Sequence, residues 1–488
     1  MGSRRFWGDW GPTVSSYTQL NRLLEEIMSR WGIPGLGVGI VEGDEIVYAR
    51  GFGVQSLDTG SPVTPDSIFC VASIAKCFVA CAVMQLVEQG GLHLDTPLVA
   101  YLPDFRLDDD RFRQITLRQI LSHTSGIPDM DENEYNELAL HPEYDDGAPV
   151  RYVRALSSRK MVAAPGERFA YSNIGYNVLG HLIAEVAGQT FESYMREHVL
   201  RPAGMLDSTF FYPDVPHHRL AVPHLRTPEM IVSPVYPYHR ADAPASFLHS
   251  TVMEMCRWAI TCLNRGVYAR QRILSPASYD LMWTPVASWG FPPFYEDVGL
   301  GWTLGHFDGA KTVSHGGMGF GWTDFLILLP EKKRAAVILC NEESSARSRI
   351  VRAAVHTMLG REPVADSVSW MVPISQALRE GGIEAAYACY TELKDDEAFF
   401  LDEGELYDLT YQLLAVGKVD LAIDVLKLNT YAFPYHEDSY LRTASLYVQK
   451  GERLQAEDTL LRALSMMPDS PAVAEMLEAV QGPRQGVT

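Results

Sequence analysis

The stretch that most constrains this chain runs from Ile68 to Val87 and is almost entirely apolar. A helix of that composition is apolar on every side, so it is predicted to lie inside a core and not on a surface. The polar exceptions at its start, Ser73 and Lys76, are three residues apart and therefore share one face. Burial disfavours the ammonium form of lysine, and a neutral amine beside a hydroxyl can accept its proton. The pair is therefore predicted to be an activated nucleophile.

The same spacing occurs a second time, from Ser157 to Lys160. This copy lies in a polar segment just before Pro165-Gly166, where a solvated helix end explains it. Ser-x-x-Lys is thus a loose pattern, and other parts of the chain must decide which copy carries chemistry.

Length and charge limit the classes of protein to consider. A chain of 488 residues predicts two or more domains. The formal net charge of −20 argues against nucleic acid or an anionic membrane as the main partner. No apolar run has transmembrane length, and residues 1–12 hold none long enough for a signal peptide. The seven scattered cysteines lack zinc spacing, which fits free thiols and predicts a cytoplasmic protein.

Short β-type runs lie near both ends of the first 360 residues, with helices and loops between them. They occur at 35–41, 46–53, 299–304, 311–314, 325–329 and 335–339. This order predicts an α+β fold in which one sheet is assembled from both ends of the domain. The segment from Pro213 to Pro244 lacks periodicity and is predicted to be a long loop that shapes or covers a pocket.

Beyond residue 361 the pattern becomes helical throughout. Four residues recur 34 positions later, the period of tetratricopeptide repeats; they are Gly417, Ala422, Leu426 and Pro434, repeated as Gly451, Ala456, Leu460 and Pro468. A generic bundle of helical hairpins is the alternative. We predict a first domain at 1–360, a linker at 361–373 and a helical-repeat domain at 374–488. Two or three such repeats are rarely stable by themselves. We therefore expect them to pack on the first domain, on another copy of the chain or on a protein partner.

Three segments follow one another along the first domain: Ser73-Ile74-Ala75-Lys76, Tyr171-Ser172-Asn173 and Ser314-His315-Gly316-Gly317. Leu121-Ser122-His123-Thr124-Ser125-Gly126 and Pro165-Gly166-Glu167 lie between them. In this order and spacing the segments resemble the serine β-lactamases and penicillin-binding-protein-like hydrolases. The resemblance is closest to the class C β-lactamase branch with its esterases, D-aminopeptidases and acyltransferases, and it covers roughly Tyr17 to Leu359. It implies an antiparallel sheet flanked by helices, an inserted all-helical subdomain and a site between them.

The resemblance also implies a role for each site residue. Ser73 would be the acylated nucleophile and Lys76 its proton acceptor. Tyr171 would share in proton transfer, since a phenol beside a cation can have a lowered pKa and act as a base. Asn173 would position Lys76 and bind the substrate. The backbone N–H groups of Ser73 and Met318 would form the oxyanion hole.

One departure from the family concerns the third segment. Many members carry Lys-Thr-Gly there, whereas Lys311-Thr312-Val313 lacks the glycine needed for close approach. His315, followed by Gly316 and Gly317, is therefore interpreted as the replacement and as part of the substrate-binding site. A histidine is largely neutral at pH 7, which favours esters or amides without a carboxylate over a β-lactam.

The resulting hypothesis is a hydrolase that forms an acyl-enzyme with an ester, amide or peptide substrate and uses no metal or cofactor. An acyltransferase is the near alternative, and a non-catalytic scaffold using the helical repeats is the alternative of another class. Selectivity is assigned to residues 213–244 and 130–150, with Trp302 and Tyr236. Three local alternatives stay open: Tyr171 as an interface aromatic, Asn173 as a helix cap, and His123 as a support for its turn. Metal binding by the histidines at 217, 218, 224 and 239 lacks ligand spacing.

Overall fold

The computed structural model describes residues 14–344, 346–363, 368–396, 399–400 and 403–481. Residues 1–12, part of the predicted linker (364–367) and residues 482–488 lie outside the described residues. The chain divides into two compact units. One comprises Met1–Met28, Ile33–His224 and Val235–Ala365, and the other comprises Ser29–Gly32, Leu225–Pro234 and Asp366–Thr488.

The first unit is built on an eight-stranded antiparallel sheet. In chain order its strands are β1 (Gly35–Glu42), β2 (Glu45–Gly53), β3 (Ala287–Phe291), β4 (Tyr295–Val298), β5 (Thr303–Phe307), β6 (Ala310–Gly319), β7 (Trp322–Leu329) and β8 (Arg334–Cys340). Their order across the sheet is β2-β1-β8-β7-β6-β5-β4-β3. Because β1 pairs with β8, one sheet is assembled from both ends of the unit, which confirms the α+β prediction.

Sequence reasoning missed two of these strands, β3 and β4. Both are partly exposed along most of their length, so neither shows the alternation of buried and exposed positions that marks a strand. They form a hairpin at the edge of the sheet, beside β5.

The helices of the first unit lie before, between and after these strands along the chain. They are α1 (Val14–Trp31), α2 (Ala75–Glu88), α3 (Leu117–Leu121), α4 (Glu132–Leu140), α5 (Ala148–Ala155), α6 (Asn173–Ala187), α7 (Phe191–Tyr194), α8 (Ala243–Ser246), α9 (Val252–Leu263), α10 (Pro276–Met282) and α11 (Arg347–Met358). Short strands lie at Ile68–Cys70, His224–Arg226, Met230–Val232, His249–Thr251, Val267–Tyr268 and Gln271–Arg272.

The helix α2 lies in the centre of the core, as its composition predicts. Its residues from Ala75 to Leu86 are all buried. The ring of Phe78 stacks on Trp258 of α9 with centroids 4.0 Å apart, and burying such a side chain stabilises the fold by about 1.5–3 kcal/mol. The helix α9 in turn lies so close to β1 that a Cβ atom at Gly37 would come 2.5 Å from Val252.

The second unit is largely helical. Its helices are α12 (Met371–Leu393), α13 (Glu403–Ala415), α14 (Val419–Ala432), α15 (Glu437–Gln449), α16 (Arg453–Met466) and α17 (Pro471–Gln481), with short strands at Val368–Ser369 and Phe399–Phe400. The pair α13 and α14 is followed by the pair α15 and α16, with the same helix lengths 34 residues later. Ala422 and Ala456, at equivalent places in the two pairs, are fully buried. The assignment to tetratricopeptide repeats stays a prediction.

None of the helices in the described part of the chain combines the length and the apolar character that a transmembrane segment needs.

Candidate active site

Ser73 lies in a 3₁₀ turn, Ala72–Ile74, at the start of the buried helix α2. The strand Ile68–Cys70 leads into this turn and is held by pairing with His249–Thr251. Ala72 has a φ of +43°, in the left-handed region that only glycine visits without cost. The chain is therefore held in a tight, strained turn that leaves Ser73 half-buried, while Lys76 is completely buried.

The amine of Lys76 is surrounded by three oxygen atoms. Its Nζ lies 2.9 Å from Oγ of Ser73, and it donates to Oδ1 of Asn173 at 2.6 Å and to the carbonyl of Ala245 at 2.8 Å. Burial lowers the pKa of Lys76, while the charges of Asp129 and then Asp242 raise it again in part. Two donated bonds leave the lone pair of a neutral amine free to accept a proton from Ser73.

Tyr171 lines the same pocket as Ser73, and its phenol is close enough for the Ser73 hydroxyl to affect its pKa. The Nζ of Lys76 is 5.0 Å from the centre of its ring. The expectation of a lowered phenol pKa is wrong: burial raises the pKa of Tyr171, and the nearby Ser73 hydroxyl opposes this only in part. Tyr171 is therefore a neutral phenol in this site, able to pass a proton on but not to start as a phenolate.

His123 packs against the ring of Tyr171. Its ring stacks on the Tyr171 ring with centroids 4.2 Å apart, and its Nδ1 accepts a hydrogen bond from the backbone N–H of Ser172 at 3.1 Å. Burial lowers the pKa of His123, so the ring is neutral.

Asn173 is the first residue of α6, but it does not cap that helix. The cap is Ser172, whose Oγ accepts a hydrogen bond from the N–H of Gly175 at 3.0 Å. The Asn173 side chain is thereby free to bond Lys76 through Oδ1, and its Nδ2 donates to Asp129 at 3.0 Å and to the hydroxyl of Tyr135.

The strand β6 closes the site because it runs directly against the turn that carries Ser73. A Cβ atom at Gly317 would come 2.5 Å from the carbonyl of Val71 and 3.1 Å from Ala72, so this position admits only glycine. A Cβ atom at Gly316 would come 2.4 Å from the hydroxyl of Tyr295. The two glycines thus allow the close approach that the sequence predicts.

His315 is buried next to these glycines. Its Nδ1 lies 2.7 Å from the carbonyl of Gly316, and since a carbonyl only accepts, Nδ1 carries the hydrogen. Burial lowers the pKa of His315 to about 3, with the charge of Lys76 as the next cause. The ring is therefore neutral near pH 7, as the sequence analysis expects.

A pocket of about 390 Å³ opens over Ser73. Of the predicted site residues, Ser73, Tyr171, Asn173, His315, Gly316 and Met318 line it, while Lys76 and Gly317 are absent from its wall. Four lining residues were missed by sequence reasoning: Trp289, Phe291, Tyr295 and Arg347. The dense aromatics from Trp289 to Tyr295 were the available signal for three of them. No motif marks Arg347, the first residue of α11.

The segments to which selectivity was assigned reach the site without lining the pocket: Tyr135 accepts a hydrogen bond from Asn173, and Asp242 influences Lys76. Among the described residues that line the pocket, none comes from 130–150 or 213–244. Tyr236 is turned toward His249, with its hydroxyl 2.7 Å from Nε2, and Trp302 is 2% exposed. Residues 225–234 belong to the second unit. In the part of the chain that the structure describes, no three potential ligands are grouped as a metal site requires.

Comparisons with known proteins agree with this architecture. The β-lactamase family matches residues 20–357. Penicillin-binding protein 4 of Amycolatopsis lactamdurans is 31% identical over 321 residues, which are 63% of this chain and 81% of that protein. The octameric penicillin-binding protein homologue from Pyrococcus abyssi has a TM-score of 0.64 at 28% identity, covering 74% of this chain and 80% of that chain.

A third comparison concerns the fold alone. The D-amino acid amidase from Ochrobactrum anthropi SV3 has a TM-score of 0.59 at 22% identity, over 70% of this chain and 98% of that chain. Together with the sheet order and the matched range, these findings show that the chain belongs to the β-lactamase family of serine-hydrolase-like proteins.

Proposed function

We propose that this protein is a serine hydrolase that forms an acyl-enzyme at Ser73 with an ester or amide substrate. The observation that carries the proposal is the contact of the buried Lys76 amine with Ser73 at 2.9 Å and with Asn173 at 2.6 Å. A buried amine next to a half-buried hydroxyl at the floor of a pocket is the arrangement that an activated nucleophile needs.

In the acylation step, the neutral amine of Lys76 takes the proton of Ser73 while Oγ attacks the substrate carbonyl. The negative charge that develops on the carbonyl oxygen is stabilised by the N–H groups of Ser73 and Met318. The bond to the leaving group then breaks, and the leaving group takes a proton from the Tyr171 phenol. The Lys76 ammonium then gives a proton to the Tyr171 phenolate, so Lys76 is again a neutral amine, Tyr171 is again a phenol and the proton count closes.

Deacylation uses the same groups in reverse. A water molecule takes the place of the leaving group and gives a proton to the Lys76 amine through Tyr171 as it attacks the acyl carbon. The acid then leaves, and Ser73 recovers its hydrogen. An alcohol or amine in place of water would give acyl transfer.

The charge of the pocket refines the class of substrate. His315 is neutral, which alone favours uncharged substrates, but the half-buried guanidinium of Arg347 lines the same pocket. Guanidinium groups bind carboxylates through paired hydrogen bonds. We therefore propose an ester or amide with an apolar group against Trp289 and Phe291 and an acidic group toward Arg347.

Covalent labelling of the full chain tests the proposed function. We expect a fluorophosphonate or a penicillin-type probe to add one label, and peptide mass spectrometry to place it on Ser73. Ser73→Ala should remain unlabelled, whereas Ser157→Ala, the matched change in the second Ser-x-x-Lys copy, should label at the wild-type rate. A wild-type chain without adduct would favour the non-catalytic scaffold. Added alcohols or amines would reveal an acyltransferase by their transfer products.

We further propose that the helices beyond about residue 374 form a tetratricopeptide-like domain for assembly or docking, in a cytoplasmic protein. The 34-residue spacing of the helix pairs supports the first point, and the seven cysteine thiols, six of them buried, support the second. The octameric Pyrococcus abyssi homologue makes self-association the first form of assembly to test. Sedimentation of the full chain should show a species heavier than 54.4 kDa.

A further inference from the structure

Two carboxyl groups outside the wall of the pocket influence Lys76. Asp129 belongs to the loop before α4, and Asp242 ends the 3₁₀ turn Arg240–Asp242 that leads into α8. Neither is among the residues that line the pocket. Both are nevertheless connected to Lys76. Asp129 bonds the Asn173 amide that accepts from Nζ, and Asp242 lies three residues before Ala245, whose carbonyl also accepts from Nζ. The charge of each carboxylate favours the charged form of the amine.

Asp129 determines which way the Asn173 amide points. Its Oδ1 accepts from the backbone N–H of Asn173 at 2.8 Å and from that of Met130 at 2.9 Å, and its Oδ2 accepts from Nδ2 of Asn173 at 3.0 Å. A carboxylate can only accept, so the amide must turn its NH₂ group toward Asp129. The amide oxygen is thereby left facing Nζ of Lys76 at 2.6 Å.

Asp242 makes a parallel contact one helical turn further along α6. It accepts from Nδ2 of Asn177 at 2.7 Å and is 2% exposed. Burial raises the pKa of Asp242, while the bond from Asn177 and the charge of Lys76 lower it. The titrations of Lys76 and Asp242 are therefore linked, because the charge of each group favours the charged form of the other.

Several further ionisable groups face Lys76. They are Cys77 on its own helix, the rings of Tyr171 and Tyr176 at 5.0 and 5.6 Å, and the neutral rings of His123 and His315. Burial keeps these histidines uncharged and raises the pKa values of the two phenols and of the thiol. Burial also raises the pKa of Asp129 and of Asp242, while the charge of Lys76 lowers both, so these two carboxyls are the groups whose negative charge is coupled to the Lys76 ammonium.

The charge balance of this cluster changes during the proposed reaction. Two buried carboxylates beside a neutral amine would leave uncompensated charge in a region of low dielectric constant. When Ser73 gives its proton to Lys76, the new ammonium ion finds counter-charge already in place. The proton transfer therefore proceeds with less desolvation cost than for an isolated buried lysine.

We propose that Asp129 and Asp242 are positioning residues for Lys76: Asp129 orients the Asn173 amide, and both carboxyls stabilise the ammonium formed when Ser73 is deprotonated. The inference rests on the proposed function, since it assigns the two carboxyls a part in activating Ser73.

The test is the pH dependence of the labelling rate of Ser73 in the full chain, with wild type, Asp129→Asn and Asp242→Asn. The amine must be neutral to accept the proton, and removal of a carboxyl favours the neutral amine. The acidic limb of the rate profile should therefore move to lower pH in both variants, by about 1 unit. The plateau should fall about threefold in Asp242→Asn, from a weaker base, and about 10-fold or more in Asp129→Asn, where the amide also loses its orientation.

Asp131→Asn is the matched control, because Asp131 lies two residues away in the same loop and caps α4 from an exposed position. The acidic limb of the pH–rate profile of Asp131→Asn should lie at the same pH as in wild type. Asp129→Glu, which keeps the charge, should return the limb toward wild type. Thermal unfolding identifies any variant that does not fold. If one of the two Asn variants does not fold, the pH profile of the other one tests the inference. If wild type is labelled but the acidic limb of the rate profile does not move in the folded variants, this inference alone is overturned. If wild type is not labelled at all, the proposed function is overturned as well.

Discussion

The two copies of Ser-x-x-Lys lie in very different surroundings. After Ser73 the chain continues directly into α2, so the side chain of Lys76 returns to the serine at 2.9 Å. The second copy begins in a short 3₁₀ turn, Leu156–Ser158, but the backbone becomes extended at Arg159, with ψ at 139°. Ser157 and Lys160 are both exposed.

The Ser-x-x-Lys spacing therefore forms a reactive pair only when a helix runs through both residues and the lysine is buried. A three-residue spacing places side chains together on a helix, but an extended residue between them separates their directions. Water also solvates an exposed amine, which removes the burial that favours its neutral form.

The largest expected effect is the loss of the buried amine. Lys76→Met keeps the length of the side chain but removes the proton acceptor, so labelling of Ser73 should slow by about 10²–10⁴-fold. Lys160→Met, the same change in the exposed copy, should leave the rate unchanged. Equal rates for wild type and Lys76→Met, measured on folded protein, would end the distinction between the two copies.

The close approach of β6 to the first copy comes next. Gly317→Ala places a methyl group 2.5 Å from the Val71 carbonyl, so the strand must move away from the Ser73 turn. We expect the free energy of unfolding to fall by about 1–3 kcal/mol and labelling to slow by at least 10-fold. In Gly91→Ala the new atom meets its neighbours at 3.5 Å, and both quantities should stay near wild type. Denaturant titration and labelling rates check this, and a harmless Gly317→Ala would contradict it.

Arg347 offers a smaller effect that depends on the substrate. With Arg347→Gln, the labelling rate with a carboxylate-bearing probe should fall by about 10-fold through loss of a charge-assisted hydrogen bond. A neutral ester probe of the same size should react at the wild-type rate. If both probes slow equally, Arg347 supports the pocket structure and does not select charge.

The smallest effect concerns His315 and pH. Burial holds its pKa in the folded chain at about 3, below the value of about 6.5 in an unfolded chain. The folded state therefore binds the proton less readily. The free energy of unfolding is therefore unaffected by His315 above pH 6.5. As the pH falls from 6.5 toward 3, it decreases by about 1.4 kcal/mol per pH unit, because the unfolded chain binds the proton first. His315→Gln should flatten the fall in melting temperature between pH 6.5 and 5, with labelling at pH 7–8 changed by less than about threefold. An unchanged slope would show that His315 is already charged in the folded chain.

Much of the fold could be predicted because its signals are local. The strands β1, β2 and β5–β8 carry apolar runs or short β-type segments, and α2 carries an unbroken apolar run. The hairpin of β3 and β4 was missed because an exposed edge does not need an apolar face. The helix pairs of the second unit follow the predicted 34-residue spacing, while the domain boundaries and the repeat class stay predictions.

Less of the site could be predicted, because burial reverses ordinary expectations. The pKa of Tyr171 rises with burial, although a nearby lysine suggests the opposite. Ser172, and not Asn173, caps α6 because its hydroxyl reaches the N–H of Gly175. Arg347, Asp129 and Asp242 belong to no recognised motif, and only the packing of separate elements brings them near Ser73 or Lys76.

By itself the sequence determined that a buried helix begins with a serine and a lysine on one face, because helical periodicity and apolar composition act over a few neighbouring residues. It also determined the order of the three family segments. The tertiary structure alone decided which Ser-x-x-Lys copy meets an amide and a phenol, and which residues line the pocket. The physical reason is that one sheet is assembled from both ends of the unit, so the contacts that set charge and burial join residues as far apart as Val71 and Gly317.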